Sequence, residues 1–247
     1  MLFELSDVEF HYSDGTPALQ GISLSIERGD RLAILGANGS GKSTLLRILN
    51  GLLFPDNGKV QFDGQELTDR SLTNPEFNQR FRQSVGFVFQ NADAQLFNAT
   101  VYEEVAFGPG QLGLKEDEVR KRTDDVLNFL GIHHLAERPP FRLSGGEKRK
   151  VAIASILSMN PEVLIFDEPF LGLDPRSQSW LVHTLKQLQS AGKTTIIATH
   201  TLDIVSQVAN EVVVLSEAHQ LIEKGPVAQI LGNQDLLVKA NLAGFHK

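Results

Sequence analysis

The sequence predicts an α/β fold: a mostly parallel sheet with crossover helices, an antiparallel β segment ahead of it and a helical block inserted into it. Three observations carry that expectation. Residues 163–166 (Val-Leu-Ile-Phe) and 194–199 (Thr-Thr-Ile-Ile-Ala-Thr) are short runs of apolar and β-branched residues, the pattern of strands covered on both faces. A stretch of helical spacing at 176–190 lies between them, as a crossover connection requires. Residues 1–35 instead alternate apolar with polar in short runs divided by turn residues.

In chain order, strands are expected at 8–12 and 22–26, set apart by Asp14-Gly15, and Arg28-Gly29-Asp30 leads into an apolar run at 31–35. Helical spacing follows at 44–50. Asp56-Asn57-Gly58 supplies a turn before a strand at 59–62, and another strand is expected at 85–89. Residues 100–131 read as helical, and the charged run 115–122 reads as a solvated helix surface. A helix at 144–159 would turn Val151, Ile153, Ala154, Ile156 and Leu157 to a core. The organisation expected is one domain over 1–231, with a core at 1–90 and 144–225, a helical subdomain at 91–143, and a short tail at 232–247.

Composition narrows the function. A chain of 247 residues holds ample core, and 41% hydrophobic content is ordinary for a globular protein. No apolar run approaches the ~20 residues of a bilayer span, and the first residues show no basic-then-apolar export signal. Zero cysteines exclude disulfides, thiolate zinc sites and cysteine nucleophiles, and fit a reducing cytoplasm. A net charge of −7 gives no general attraction to nucleic acid.

The run Gly36-Ala37-Asn38-Gly39-Ser40-Gly41-Lys42-Ser43 carries the chemistry. It lies between the apolar run 31–35 and the helical stretch that starts at Thr44, so a strand, a glycine-rich turn and a helix N-terminus converge. Backbone N–H groups and the helix dipole then favour an anion at one spot. Lys42 supplies a point charge for β- and γ-phosphates, and the Ser43 hydroxyl can ligate Mg²⁺. The pattern predicts binding of a nucleoside triphosphate. Asp167-Glu168 closes the strand at 163–166, at the carboxyl end where α/β sheets bind ligands. There the first carboxylate can hold Mg²⁺ and the second can orient and deprotonate water, against the plainer reading of a solvated acidic pair. Leu143-Ser144-Gly145-Gly146-Glu147 is a second glycine-rich helix start; alone it reads as a capped turn.

That second element, followed by Lys148-Arg149-Lys150-Val151-Ala152-Ile153-Ala154 and then by the Asp-Glu strand, resembles the defining motif of the ATP-binding cassette (ABC) ATPases. Other elements of that family appear in order over residues 2–231. The resemblance implies that Tyr12 stacks on adenine and that Gly36 to Thr44 cradle the phosphates. Ser43, Gln90 and Asp167 would organise Mg²⁺. Glu168 would act as general base, His200 as the group positioning it against the γ-phosphate, and Gln90 as a contact to the attacking water. Ser144, Gly145, Gly146 and Glu147 would complete the site of an opposite subunit, and Asp174 of Gly172-Leu173-Asp174 would communicate across the dimer. ATP and Mg²⁺ are the cofactors implied; a second cassette, identical or related, is the first partner.

Residues 90–97 and 100–109 sharpen the resemblance. Gln-Asn-Ala-Asp-Ala-Gln-Leu-Phe and Thr-Val-Tyr-Glu-Glu-Val-Ala-Phe-Gly-Pro are similar to ATPases of energy-coupling-factor importers, particularly of the cobalt and nickel type. In that branch the region borders a groove for a helix of an integral-membrane coupling protein, and a substrate-binding membrane subunit completes the importer. Leu96, Phe97, Val101 and Phe107 could equally pack the helical block. The implied place is the cytoplasmic face of the membrane, with no nucleic-acid partner. Four departures bear on the cargo and not on phosphate contacts: Ala92 where proline is common, Phe170-Leu171 after Pro169, Thr201 where aspartate is common, and Lys247 where several relatives continue. A vitamin such as biotin is the alternative cargo. A cassette ATPase of DNA maintenance would carry long coiled coils, and one acting on ribosomes would carry two cassettes. His133-His134 is a pair in an expected loop and not a spaced ligand set, and no cysteines assist it, which argues against a metal-binding protein.

Overall fold

The computed structural model describes residues 1–243. Its strands are β1 (Phe3–His11), β2 (Pro17–Ile26), β3 (Arg31–Leu35), β4 (Asn57–Phe62), β5 (Gln65–Glu66), β6 (Val85–Val88), β7 (Val163–Asp167), β8 (Thr194–Ala198), β9 (Glu211–Leu215) and β10 (Leu221–Pro226). The helices are α1 (Lys42–Leu49), α2 (Asp69–Leu72), α3 (Pro75–Ser84), α4 (Val101–Gln111), α5 (Glu116–Phe129), α6 (Gly145–Leu157), α7 (Pro175–Ser190), α8 (Leu202–Val208), α9 (Val227–Gly232) and α10 (Gln234–Lys239).

Two sheets result. The first is antiparallel in the order β2-β1-β4-β5, and the second runs β10-β9-β3-β8-β7-β6. In the second, β9, β3, β8, β7 and β6 are parallel, and only β10 runs antiparallel at the edge. The alternating runs near the N-terminus bury one face: Phe3, Leu5, Val8, Ile22, Leu24 and Ile26 turn inward with Leu45, Leu46 and Leu49 of α1. Each such side chain removed from water contributes roughly 1.5–3 kcal/mol. Phe62 centres an aromatic group, its ring 5.1 Å from Phe3 and 5.1 Å from Phe81.

Register places the chemistry. Ile34 pairs with Ala198, and Ala198 pairs with Asp167. The carboxyl ends of β3, β8 and β7 therefore lie side by side. The phosphate loop, Thr199-His200 and Asp167-Glu168 leave the sheet at one edge. Val88 pairs with Phe166, so Gln90 emerges two residues past the same edge.

The structure adds detail to three expectations. The helical stretch 100–131 comprises two helices, α4 and α5: Gly113 takes φ +72°, a left-handed conformation that ends the first, and Lys115 is the N-cap residue of the second. His133-His134 sits in a 3₁₀ turn, His133–Leu135, and not in open loop. The described part of the expected tail is α10, and it packs: Leu237 and Ala240 are buried, Ala240 beside Val212, Val214 and Ile230. Residues 244–247 lie outside the described residues. α3 and the β9–β10 pair went unread, although Asn74-Pro75 is a helix start and Glu211–Leu215 is a nearly unbroken apolar run.

Candidate nucleotide site

The loop from β3 to α1 depends on glycine at two positions. Gly41 has φ +101°, and a Cβ there would lie 2.2 Å from the carbonyl oxygen of Ala18. A Cβ on Gly36 would stand 2.4 Å from Ser40 Oγ and 2.9 Å from Leu215 O. A bulkier residue would push the loop away from its ligand position. Lys42 Nζ donates to the carbonyls of Gly36 (2.8 Å) and Ala37 (3.0 Å), leaving its third donor for an anion. Burial pushes the Lys42 ammonium below its ordinary range, and the Glu168 and Asp167 carboxylates oppose that shift.

Ser43 Oγ donates to Asp167 Oδ1 at 2.9 Å. Burial pushes the Asp167 carboxyl up, while that hydrogen bond works against it. Two hard oxygens side by side, next to a phosphate cradle, are the donor set that Mg²⁺ takes together with phosphate oxygens. Glu168 stands at φ +45°, a strained position for a non-glycine residue. Its N–H donates to Ala198 O at 2.9 Å, which fixes the turn just past β7. The carboxylate meets His200 Nδ1 at 3.0 Å and Lys42 Nζ at 3.7 Å. Strain of this kind costs roughly 1–3 kcal/mol, and here it turns a buried carboxylate toward the cleft.

The cleft has a volume of about 600 Å³ and is lined by Tyr12, Asn38, Gly39, Gly41, Lys42, Ser43, Thr44, Gln90, Glu168 and His200 among others. Tyr12 lies just past β1 and is half exposed, with its hydroxyl 2.8 Å from Thr44 Oγ1. One bond thus joins the Tyr12 ring to the first turn of α1. Gly36, Ala37 and Ser40 do not line the cleft. Ser40 Oγ is buried inside the loop without a partner among the described residues, and Ala37 borders a small recess with Asn38, His200 and Glu217. The sequence reading missed Thr16, Pro17, Ala18, Arg47, Leu171 and His219, which also line the cleft. Arg47 alone had a signal: it follows Ser43 by one helical turn.

Ser144, Gly145, Gly146, Glu147 and Asp174 lie outside this cleft. Ser144 caps α6 in a reciprocal box: Glu147 N–H donates to Ser144 Oγ (3.3 Å), and Ser144 N–H donates to Glu147 Oε2 (2.8 Å). The Ser144 hydrogen bonds hold the Glu147 carboxyl below its ordinary value. Asp174 caps α7, accepting from the N–H groups of Arg176 (2.9 Å) and Ser177 (3.1 Å) and from Ser177 Oγ (2.6 Å).

The phosphate cradle, the Asp-Glu strand end and the separate glycine-rich helix start match a known family pattern. The ABC transporter family model covers residues 19–171, well over half of the chain. The chain belongs to the ABC transporter family. Its fold is the ABC ATPase cassette, and it is an ATPase of that class. It is 45% identical over 241 residues to the energy-coupling factor transporter ATP-binding protein EcfA of Methanothermobacter thermautotrophicus, covering 98% of this chain and 76% of the relative. It is 46% identical over 243 residues to the nickel import ATP-binding protein NikO of Rhodobacter capsulatus, covering 97% and 95%. Among solved structures, cbiO1 of Clostridium perfringens, part of the ABC transporter complex cbiONQ, superposes with a TM-score of 0.83 at 42% identity, over 98% of this chain and 94% of that one. A cassette solved as a dimer in a post-hydrolysis state with ADP and Pi gives a TM-score of 0.82 at 29% identity, over 92% and 99%.

A second cavity, of about 490 Å³, lies between α3, α4 and α6, with Phe97, Phe107, Gln95, Arg82 and Met159 in its wall. It divides the apolar residues named from the sequence. Val101 is fully buried and Leu96 packs on the core, whereas Phe97 is 67% and Phe107 43% exposed. Those two rings meet edge to face, with centroids 5.0 Å apart. Among the described residues no helix is long and apolar enough to cross a membrane.

Proposed function

We propose that this cassette is the ATP-hydrolysing subunit of an energy-coupling-factor importer for cobalt or nickel, docked on the cytoplasmic face of the membrane. The observation that carries hydrolysis is the buried Glu168 carboxylate, held at positive φ between His200 and Lys42 at the mouth of the phosphate loop. A carboxylate fixed there can take the proton of water attacking the γ-phosphorus. His200 orients it, Gln90 faces the same water, and the loop amides with Lys42 hold the phosphates. Ser43, Gln90 and Asp167 would hold Mg²⁺, whose charge offsets that of the phosphates. Tyr12 would stack on adenine.

The chain supplies half of each site. The Ser144–Glu147 element lies outside the cleft of its own phosphate loop, and the dimeric relative with ADP and Pi supports pairing with a second cassette, of this chain or a related one. Asp174 would sit at that interface. The likeness to EcfA, NikO and cbiO1 supports the importer branch and transition-metal cargo. The open Phe97–Phe107 edge of the second cavity is where a membrane coupling protein would lay an apolar helix. The organisation proposed remains a nucleotide-binding core around 1–90 and 144–225 with a helical subdomain at 91–143.

Glu168→Gln tests the central role. It should cut steady-state ATP hydrolysis by two orders of magnitude or more, while ATP-dependent dimerisation persists. Turnover at the wild-type rate would refute the assignment. Cobalt or nickel uptake by the reconstituted importer, abolished by the same change, tests the cargo; uptake of a vitamin instead would redirect it.

A further inference from the structure

Arg149 lies one turn into α6, with only 6% of its surface exposed. No carboxylate pairs with it among the described residues. Its guanidinium donates instead to two consecutive main-chain carbonyls, Phe89 O at 2.7 Å and Gln90 O at 2.6 Å. The arrangement is specific to arginine: the rigid fork matches two oxygens, whereas an ammonium offers a point charge. A buried cation without an anionic partner is costly, and an apolar residue would serve packing alone at lower cost.

The residue that Arg149 grips has two faces. The Gln90 side chain lines the nucleotide cleft, while its carbonyl is held by the helix that starts at Ser144. Neighbouring bonds run the same way. Phe89 N–H donates to Gln95 Oε1 (3.2 Å), and Gln95 Nε2 donates to Ala152 O (2.8 Å) and Ser155 Oγ (3.2 Å), both on α6. Lys148 pairs with Asp93 at 2.6 Å. The segment 89–95 and α6 thus share a dense set of bonds, and Arg149 supplies the one that reaches Gln90, the residue lining the cleft, together with one to its neighbour Phe89.

We propose that Arg149 is a positioning residue that locks Gln90 to α6, so that the placement of Gln90 in the cleft and the face that Ser144–Glu147 presents to a second cassette move as one. This rests on the reading of Gln90 as a contact to the attacking water. Arg149 touches neither nucleotide nor water; it acts through the Gln90 backbone.

The test is a double-mutant cycle on ATP hydrolysis by the full-length chain, with Arg149→Lys and Gln90→Ala singly and together. Arg149→Lys should lower kcat about tenfold and change KM for ATP less than twofold. In the Gln90→Ala background the same change should have almost no further effect on kcat. A merely structural arginine would instead give independent, multiplied losses, and that outcome overturns the proposal. Where Arg149→Lys does not yield folded protein, Gln95→Met gives the second cycle: it cuts the parallel brace and leaves both arginine bonds. Its smaller kcat loss should also vanish in Gln90→Ala, and additivity there overturns the proposal equally. Gln90→Ala with wild-type kcat would overturn the underlying reading of Gln90; reduced kcat with additive partners overturns this inference alone.

Discussion

Glu104→Ala probes the link between the helical segment and the second cavity. Glu104 is 3% exposed, on the first turn of α4. One oxygen, Oε2, accepts from the N–H groups of Phe97 and Asn98, both at 2.8 Å, and from Asn98 Nδ2 at 3.2 Å. Bonds to a charged acceptor contribute about 1.5–3 kcal/mol each, so the two main-chain bonds set an upper bound near 6 kcal/mol. Phe97 and Asn98 are themselves partly open to solvent, so freed N–H groups regain water, and a net loss of about 2–3 kcal/mol follows. At roughly 2–4 °C per kcal/mol for a chain of this size, Tm should fall by about 4–12 °C. Glu104→Gln keeps a carbonyl acceptor and should lose about half as much. Thermal unfolding followed by circular dichroism reads both numbers. Basal ATP hydrolysis below Tm should stay near wild type, because Glu104 is outside the cleft. An unchanged Tm in Glu104→Ala, or equal losses in the two variants, would refute the reasoning.

Two further outcomes can be stated. Tyr12→Phe keeps the ring and loses only the bond to Thr44, so ATP affinity should fall less than about threefold; Tyr12→Ala removes the stacking surface, worth roughly 1–3 kcal/mol per base, and should weaken binding about tenfold or more by fluorescence titration. Equal affinities in the two variants would exclude stacking. The Glu147 carboxyl is held below its ordinary value of 4.5 by the Ser144 hydrogen bonds, so its stabilisation is present above 4.5 and lost as pH falls through the lower folded value. Urea midpoints should therefore show a wild-type advantage over Glu147→Gln at pH 7 that shrinks at pH 3; a constant advantage would contradict the capping box as the source.

The cleft was legible in the sequence where a contiguous run builds it. Gly36 to Ser43 and Asp167-Glu168 each lie within one turn at a strand end, so spacing alone places them. The residues that complete the lining of the cleft come from separate elements: Thr16 to Ala18 at the start of β2, His219 on the β9–β10 turn and Leu171 past Glu168. No local pattern encodes their convergence. Arg149 escaped for a different reason. Inside Lys148-Arg149-Lys150 it reads as one more solvated charge, yet the three part company: Lys148 reaches Asp93, Lys150 stands 4.7 Å over the Trp180 ring, and only Arg149 turns inward. The stretch 100–131 is helical as its spacing implies, and it divides at Gly113, where the backbone takes a positive φ.

The two helix starts that lie away from the cleft differ in how their first amides are satisfied. At α7, Pro175 has no N–H to offer, and Asp174 satisfies the next two amides, so that end is closed to an anion. At α6, the box between Ser144 and Glu147 satisfies the third amide, and Lys148 N–H bonds to Ser144 O. Gly145 and Gly146 N–H donate to nothing among the described residues, and a Cβ built on Gly145 would meet open space. Two free amides remain at the positive end of a helix thirteen residues long, beside a Glu147 carboxylate whose Oε2 is taken up by the Ser144 N–H and hydroxyl. The glycines keep side-chain bulk away from those amides, and the capping box keeps the helix end from fraying around them. Those free amides agree with the head-to-tail pairing proposed above, in which a phosphate held by a second cassette would reach them.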